Sequence, residues 1–198
     1  VTLIGFSPGS GTFAAIVGSF EQYLAQIQGP RVVCVDDPVL ARLAPQLSCI
    51  TYGTSPGADY RIGDVQSRDG CQHFTIWHHG ETLVELALPL RGIHNVRNAT
   101  AAAALAHSIG IAPDAIQRAL DRFGGVARRF DVRAVDAGVT LVDDYAHLPA
   151  EISAVLGAAR TGGDGWSRLI AVFQPNRYNR MSLISHEYGS AFGQADVV

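Results

Sequence analysis

The run Val139-Thr-Leu-Val-Asp-Asp-Tyr-Ala-His-Leu-Pro149 gathers side chains able to do chemistry. Asp143 and Asp144 stand beside Tyr145 and His147. Paired carboxylates in that company can accept hydrogen bonds from sugar hydroxyls, or hold a protonated amine or a metal. A solvated turn with an Asx cap is the plainer reading, and this stretch alone leaves both open. Val139 to Val142 reads as a short buried strand. Pro149 suits the first position of a helix whose apolar residues Ile152, Val155, Leu156 and Ala159 recur at i, i+3, i+4 and i+7, with Glu151 at the positive end of its dipole. A polar loop between a strand's carboxyl end and a helix start is where α/β sheets place ligands.

A second loop of this kind, Gln174-Pro-Asn-Arg-Tyr-Asn-Arg180, follows the strand-like run Leu169 to Phe173. Arg177 and Arg180, three apart at a helix start, can face one side and fork onto a carboxylate or phosphate. A third cluster, His94, Asn95 and Asn98, opens an alanine-rich helix that Gly110 ends. Asn95 fits its N-cap, and an asparagine amide offers a donor and an acceptor together, as the edge of an adenine requires. A capped helix with a second polar residue is the alternative.

Other candidates are weaker. Gly5-Phe-Ser-Pro-Gly-Ser-Gly-Thr12 has the look of a phosphate loop, but Gly11 stands where a lysine must precede the threonine, so a plain flexible turn is expected. Cys34, Cys49 and Cys71 are odd in number and form no C-x-x-C pair; Cys34, inside an apolar run, reads as a buried structural thiol. His78-His79 beside Gly80 reads as exposed turn residues, since no third ligand has zinc spacing. Asp36-Asp37 before Pro38 reads as a helix cap rather than a nucleotide or metal site.

The elements that must position these groups follow a βαβ rhythm at first. Phe13, Ile16, Val17, Phe20, Leu24 and Ile27 predict one helix face, ended by Gly29-Pro30. Strands are expected at Arg31 to Val35 and Cys49 to Tyr52, which implies a parallel sheet. Tyr60 to Val65, Gln72 to Trp77 and Thr82 to Leu88 then predict a small antiparallel sheet with Phe74 and Trp77 in its core. A helix over Pro113 to Phe123 should turn Ile116, Leu120 and Phe123 inward, and Gly124 to Phe130 reads as a domain hinge. At 47% hydrophobic and 17% charged the chain should fold around a real core, and a net charge of -3 with pI near 6.1 leaves no nucleic-acid footprint. Without a long apolar segment, no membrane association and a cytoplasmic location are expected.

Four motifs in order, His94-Asn95-x-x-Asn98, Gly125-Val126-x-Arg128-Arg129-Phe130, Asp143-Asp144-Tyr145-Ala146-His147-x-Pro149 and Phe173-Gln174-Pro175-x-Arg177-Tyr178-x-Arg180, resemble the Mur ligases of peptidoglycan synthesis. The resemblance implies the fold class: α/β, part of a P-loop-type parallel-sheet domain with a small antiparallel sheet, then a Rossmann-like α/β domain. Residues 1–127 would be the later half of the central ATP-binding domain and 128–198 the first half of the C-terminal domain. It also implies an ATP- and Mg²⁺-dependent ligase that joins L-alanine to UDP-N-acetylmuramate. The muramyl carboxylate would attack the γ-phosphate of ATP, and the amine of alanine would displace phosphate from the acyl phosphate. Carried over by residue, Asn95 and Asn98 contact adenine with His94 beside them, Asp143 or Asp144 binds the ribose, and Arg129 reaches the phosphates. Tyr145 and His147 line the cleft, and Asn176, Arg177 and Arg180 hold the amino acid and acyl group.

This sequence departs from that pattern. Leu148 and Asn176 stand where the family has histidines, and Phe6 to Gly11 replaces an Asp-His-x-Asp turn. The family's G-K-[ST] loop and Mg²⁺-binding glutamate would lie upstream of Val1, so the fragment itself is expected to be inactive, with metal ligands mostly outside it. A non-catalytic Mur-ligase-like nucleotide-binding or regulatory module is the alternative.

Overall fold

The structure, a computed structural model, describes residues 13–162 and 165–198; the glycine-rich turn expected at Gly5 to Thr12 lies outside the described residues. The described chain forms two compact units. One comprises residues 13–66, 72–88 and 93–123, the other 67–71, 89–92 and 124–198.

In the first unit the order is α1 (Phe13–Gln26), β1 (Val32–Cys34), α2 (Pro38–Leu43), β2 (Ile50–Gly53), β3 (Tyr60–Arg68), β4 (Cys71–His78), β5 (Glu81–Leu88), α3 (Ile93–Ser108) and α4 (Pro113–Asp121). The strands make one mixed sheet in the order β1-β2-β3-β4-β5. β1 pairs parallel with β2, and β2 parallel with β3, while β4 and β5 pair antiparallel. The antiparallel strands thus continue the parallel ones edge to edge rather than forming a sheet of their own. Both tight turns use left-handed residue pairs, Asp69 (φ 52) with Gly70 (φ 75) and His79 (φ 51) with Gly80 (φ 84), whose twist suits two-residue hairpins.

Burial follows the expected periods. β4 buries Gln72, Phe74 and Ile76, and β5 buries Val84, Leu86 and Leu88, every second residue in each. α1 packs Leu24 against Val33, Leu40 and Ala44. Phe13, however, is 58% exposed and Phe123 46% exposed, so neither extends the inward face expected of it. Phe123 lies two residues past the end of α4, where the helical period no longer governs its direction. Arg31 does not open the strand: its guanidinium donates to the carbonyls of Ile27 and Leu47 and ties off the end of α1. Asp37 caps α2, accepting the N–H groups of Val39 at 2.8 Å and Leu40 at 3.1 Å.

His78 is half-buried rather than an exposed turn residue. Its ring stacks on Tyr60 with centroids 4.3 Å apart, and Tyr60's hydroxyl meets His107 Nδ1 at 2.9 Å. Cys34 is buried, as its apolar run predicted.

The second unit contains β6 (Asp131–Asp136), β7 (Val139–Asp143), α5 (Pro149–Thr161) and α6 (Tyr178–Ala191). The expected strand at Val139 to Val142 is present, but it is not buried: Val139 is 68% and Leu141 60% exposed. It forms an antiparallel hairpin with β6. β6 is not announced in the sequence, because the turn that joins the two strands, Ala137-Gly138 with φ of 46 and 80, lacks the asparagine or aspartate that advertises such a turn. Leu169 to Phe173 is not a full strand either; its ladder is one parallel bridge, Ile170 to Val197. The core of this unit joins Ile152 of α5 to Tyr188 and Ala191 of α6, with Leu156 and Phe173 against them.

Candidate functional site

The loop from Asp143 to Leu148 is fixed at both ends before any ligand enters. Asp144 accepts the N–H of Phe130 at 2.7 Å and of Ala146 at 2.6 Å, and Tyr145 donates its N–H to the carbonyl of Arg128 at 2.8 Å. Arg128 and Phe130 both take left-handed conformations, φ 61 and 50. For side chains with a Cβ that geometry costs energy, and these hydrogen bonds offset it. The segment before β6 is thereby laid along the loop after β7, and both arginines of Val126-Ala-Arg-Arg129 come to Tyr145. The guanidinium carbons of Arg128 and Arg129 lie 4.8 Å and 5.9 Å from its ring centroid.

Glu151 organises the other end. At the third position of α5 its Oε2 accepts the N–H groups of His147 at 3.0 Å and Leu148 at 3.2 Å, satisfying donors that the helix start leaves free. The same oxygen lies 3.4 Å from His147 Nδ1, and Oε1 is 3.9 Å from Arg129. His147 Nδ1 also sits 2.9 Å from the carbonyl of Tyr145, so both of the ring's contacts fall on Nδ1 rather than Nε2. From the sequence, Glu151 is only a dipole partner and Arg128 a motif residue without a role of its own. The signals were a glutamate three residues past the cap, and a second arginine next to the first.

The two aspartates differ. Asp144 is held by two backbone donors and retains acceptor lone pairs on both oxygens. Asp143, its side chain 43% exposed, leans on Arg128 at 3.6 Å. In the second polar loop, Asn176 and Arg177 are exposed, and Arg177 precedes α6 at φ 66 without capping it. The side chain of Arg180, in the first turn of α6, lies outside the description.

In the first unit, α3 begins at Ile93, three residues earlier than expected, so Asn95 is inside the first turn and not at the cap. Gly92, at φ 84, turns the chain into the helix before the asparagine is reached. His94 and Asn95 are half-buried neighbours, with Asn95 Nδ2 3.2 Å from His94 Nε2, and Asn98 is exposed one turn on. Behind them Arg97 Nε donates to Asp36 Oδ2 at 2.8 Å.

Residues 11–106 match the family model described as Mur ligase middle domain, and residues 128–198 the one described as Mur ligase, glutamate ligase domain. The chain belongs to the Mur ligase family. Among Mur ligases, the UDP-N-acetylmuramate--L-alanine ligase of Methylocella silvestris is 41% identical over 95% of this chain and 42% of its own length. The enzyme of that name from Burkholderia multivorans is 44% identical over 85% of this chain and 38% of its own. A crystal structure of UDP-N-acetylmuramate-alanine ligase from Thermotoga maritima superposes with TM-score 0.74 at 28% identity, covering 94% of this chain and 41% of that one. The folylpolyglutamate synthetase of Lactobacillus casei, at 16% identity and TM-score 0.62 over 95% of this chain and 47% of its own, shares the fold. This Mur ligase chain thus spans about two fifths of the length of the relatives it matches. Among its described residues, no helix is long and apolar enough to cross a membrane.

Proposed function

We propose that the protein containing this chain is an ATP-dependent ligase that joins L-alanine to UDP-N-acetylmuramate. The observation that carries this reading is the likeness across almost the whole chain to alanine-adding ligases, at about 40% identity, with the four motifs in order. Residues 1–127 are assigned to the later half of the central ATP-binding domain and 128–198 to the first half of the C-terminal domain.

In this reading the protein does little covalent work. The muramyl carboxylate oxygen forms a bond to the γ-phosphorus as ADP leaves; the amine of alanine then attacks the acyl carbon, phosphate departs, and the amine gives up a proton. Catalysis rests on placement and charge. Asn95 supplies the donor and acceptor for the adenine edge, with His94 beside it and Asn98 one turn on. Asp144, already immobilised by two N–H groups, is the better-prepared ribose acceptor, and Asp143 keeps Arg128 in place. Arg129, half-exposed and only loosely held by Glu151, is free to meet phosphate oxygens. Tyr145 offers its ring and His147 its Nε2 to the substrates. Arg177 and Asn176 face the amino acid and acyl group, with Arg180 assigned to the same task.

Magnesium has no evident seat here: among the described residues no cluster of three or more His, Cys, Asp or Glu side chains could hold a metal.

The test is to supply the full-length protein with ATP, UDP-N-acetylmuramate and, in turn, L-alanine, L-serine and glycine, and to weigh the products. The reading expects the alanine adduct to dominate. A second reading, a non-catalytic nucleotide-binding module, is favoured by Leu148 and Asn176 at positions where the family pattern has histidines; ATP binding without any adduct would establish it instead.

A further inference from the structure

We propose that Arg97 is a positioning residue that sets the placement of the first turn of α3, and with it His94 and Asn95, through its ion pair with Asp36. The inference rests on the assignment of that turn to the nucleotide.

Packing alone leaves α3 loosely specified. The face it buries is made of Val96, Ala99, Thr100, Ala103 and Ala104, nearly all small, and it rests on β1 and β2. Helices settle on a sheet by interlocking ridges and grooves, and a row of alanines has little relief, so small rotations about the helix axis cost little. A directional polar contact supplies what such a surface lacks.

Asp36 is built to be that contact. Two residues beyond β1, its Oδ1 accepts the N–H of Thr54 at 2.8 Å and the Thr54 hydroxyl at 3.0 Å, just beyond β2. Oδ2 takes Arg97 Nε at 2.8 Å, and the aspartate side chain is 11% exposed. The sequence makes room for it: a Cβ on Gly53 would lie 2.5 Å from Oδ1, so only glycine lets the carboxylate sit flush on the end of β2. Burial raises the pKa of Asp36, but hydrogen bonds from the Thr54 backbone, Arg97 and the Thr54 hydroxyl outweigh it and hold the carboxyl below its ordinary value. The charged form is therefore kept, and one carboxylate ties two strand ends to one helix. Arg97 lies two residues after Asn95 and three after His94, within the turn whose placement matters. Its contact is to protein, so it acts through its neighbours and touches no reacting atom.

In the full-length protein, Arg97→Met keeps the apolar stem and removes the guanidinium. It should raise the KM for ATP about tenfold while kcat and the KM for alanine stay within about twofold, and Arg97→Lys should restore most of the loss. Asp36→Asn, which preserves an acceptor for Thr54, should match Arg97→Met, and the double variant should be no worse than either, because both remove one shared contact. Amide hydrogen exchange over residues 93–98 should quicken in both. An ATP KM within about twofold of the parent in Arg97→Met and Asp36→Asn, or kcat and every KM worsening together, would overturn the proposal. Asn95→Ala separates it from the reading beneath: an unchanged ATP KM there removes the nucleotide assignment, whereas a raised one beside a normal Arg97→Met removes only the role of Arg97.

Discussion

The carboxylate of Glu151 meets His147 twice, accepting its backbone N–H at 3.0 Å and facing its imidazole Nδ1 at 3.4 Å with the same oxygen. The cap of α5 and one of the two contacts on a proposed site histidine's ring therefore share one side chain. Glu151→Ala should lower stability by about 1–2 kcal/mol, since two amide donors at the helix start lose their partner. Glu151→Gln, which keeps an amide oxygen there, should recover most of that. Equal midpoints for the parent and Glu151→Ala in urea denaturation would show that the cap contributes nothing.

Tyr188, only 7% exposed, donates its hydroxyl to the carbonyl of His147 at 2.8 Å, so α6 holds the loop from behind. Tyr188→Phe keeps the ring in the core with Ile152 and strands one acceptor, which should cost about 1 kcal/mol. Hydrogen exchange in the 143–148 loop should rise more than in β4; a uniform rise across the protein would contradict a local role.

Gly63 lies beneath Trp77, and a Cβ placed there would come within 2.5 Å of the indole ring. Arg61 covers Trp77 as well, its guanidinium carbon 4.1 Å from the ring centroid. Gly63→Ala should displace the indole, cost about 1–3 kcal/mol and shift tryptophan fluorescence. An unshifted spectrum with unchanged stability would mean the ring has room to move.

His107 and His78 lie edge to face, 5.1 Å between centroids, and burial followed by repulsion from His78 lowers the pKa of His107 below its ordinary 6.5. The unfolded chain then takes up this proton first, so the stability due to neutral His107 is intact above pH 6.5 and declines as the pH falls below it. Asp36 acts in a lower window, its contribution declining only below 3.8. Urea midpoints measured from about pH 8 to about pH 5 should fall toward acid, and His107→Gln should flatten that slope. The same slope in His107→Gln would clear His107 of the effect.

Much of this could be read from the residues, where local chemistry governs. Asp37 before Pro38 caps α2, and the paired turns at Asp69-Gly70 and His79-Gly80 delimit β3 to β5 because left-handed residues at a two-residue turn leave few alternatives. The ends of elements set by tertiary contact were not legible: α3 starts at Ile93, ahead of the asparagine that seemed to cap it. Apolar composition also misled at Val139 to Val142, since a β-branched run signals a strand and not what covers it. For the site, residue types announced the loop after β7, but the contacts that order it, Asp144 to Phe130 and Glu151 to Arg129, join positions 14 and 22 residues apart. No local spacing reports such pairs.

In the proposed reaction a muramyl carboxylate takes the phosphoryl group before alanine reaches it. With that carboxylate labelled in heavy oxygen and the full-length protein turning over ATP and alanine, mass analysis of the released phosphate should find one labelled oxygen transferred per amide formed. Unlabelled phosphate, or AMP and pyrophosphate as products, would contradict it.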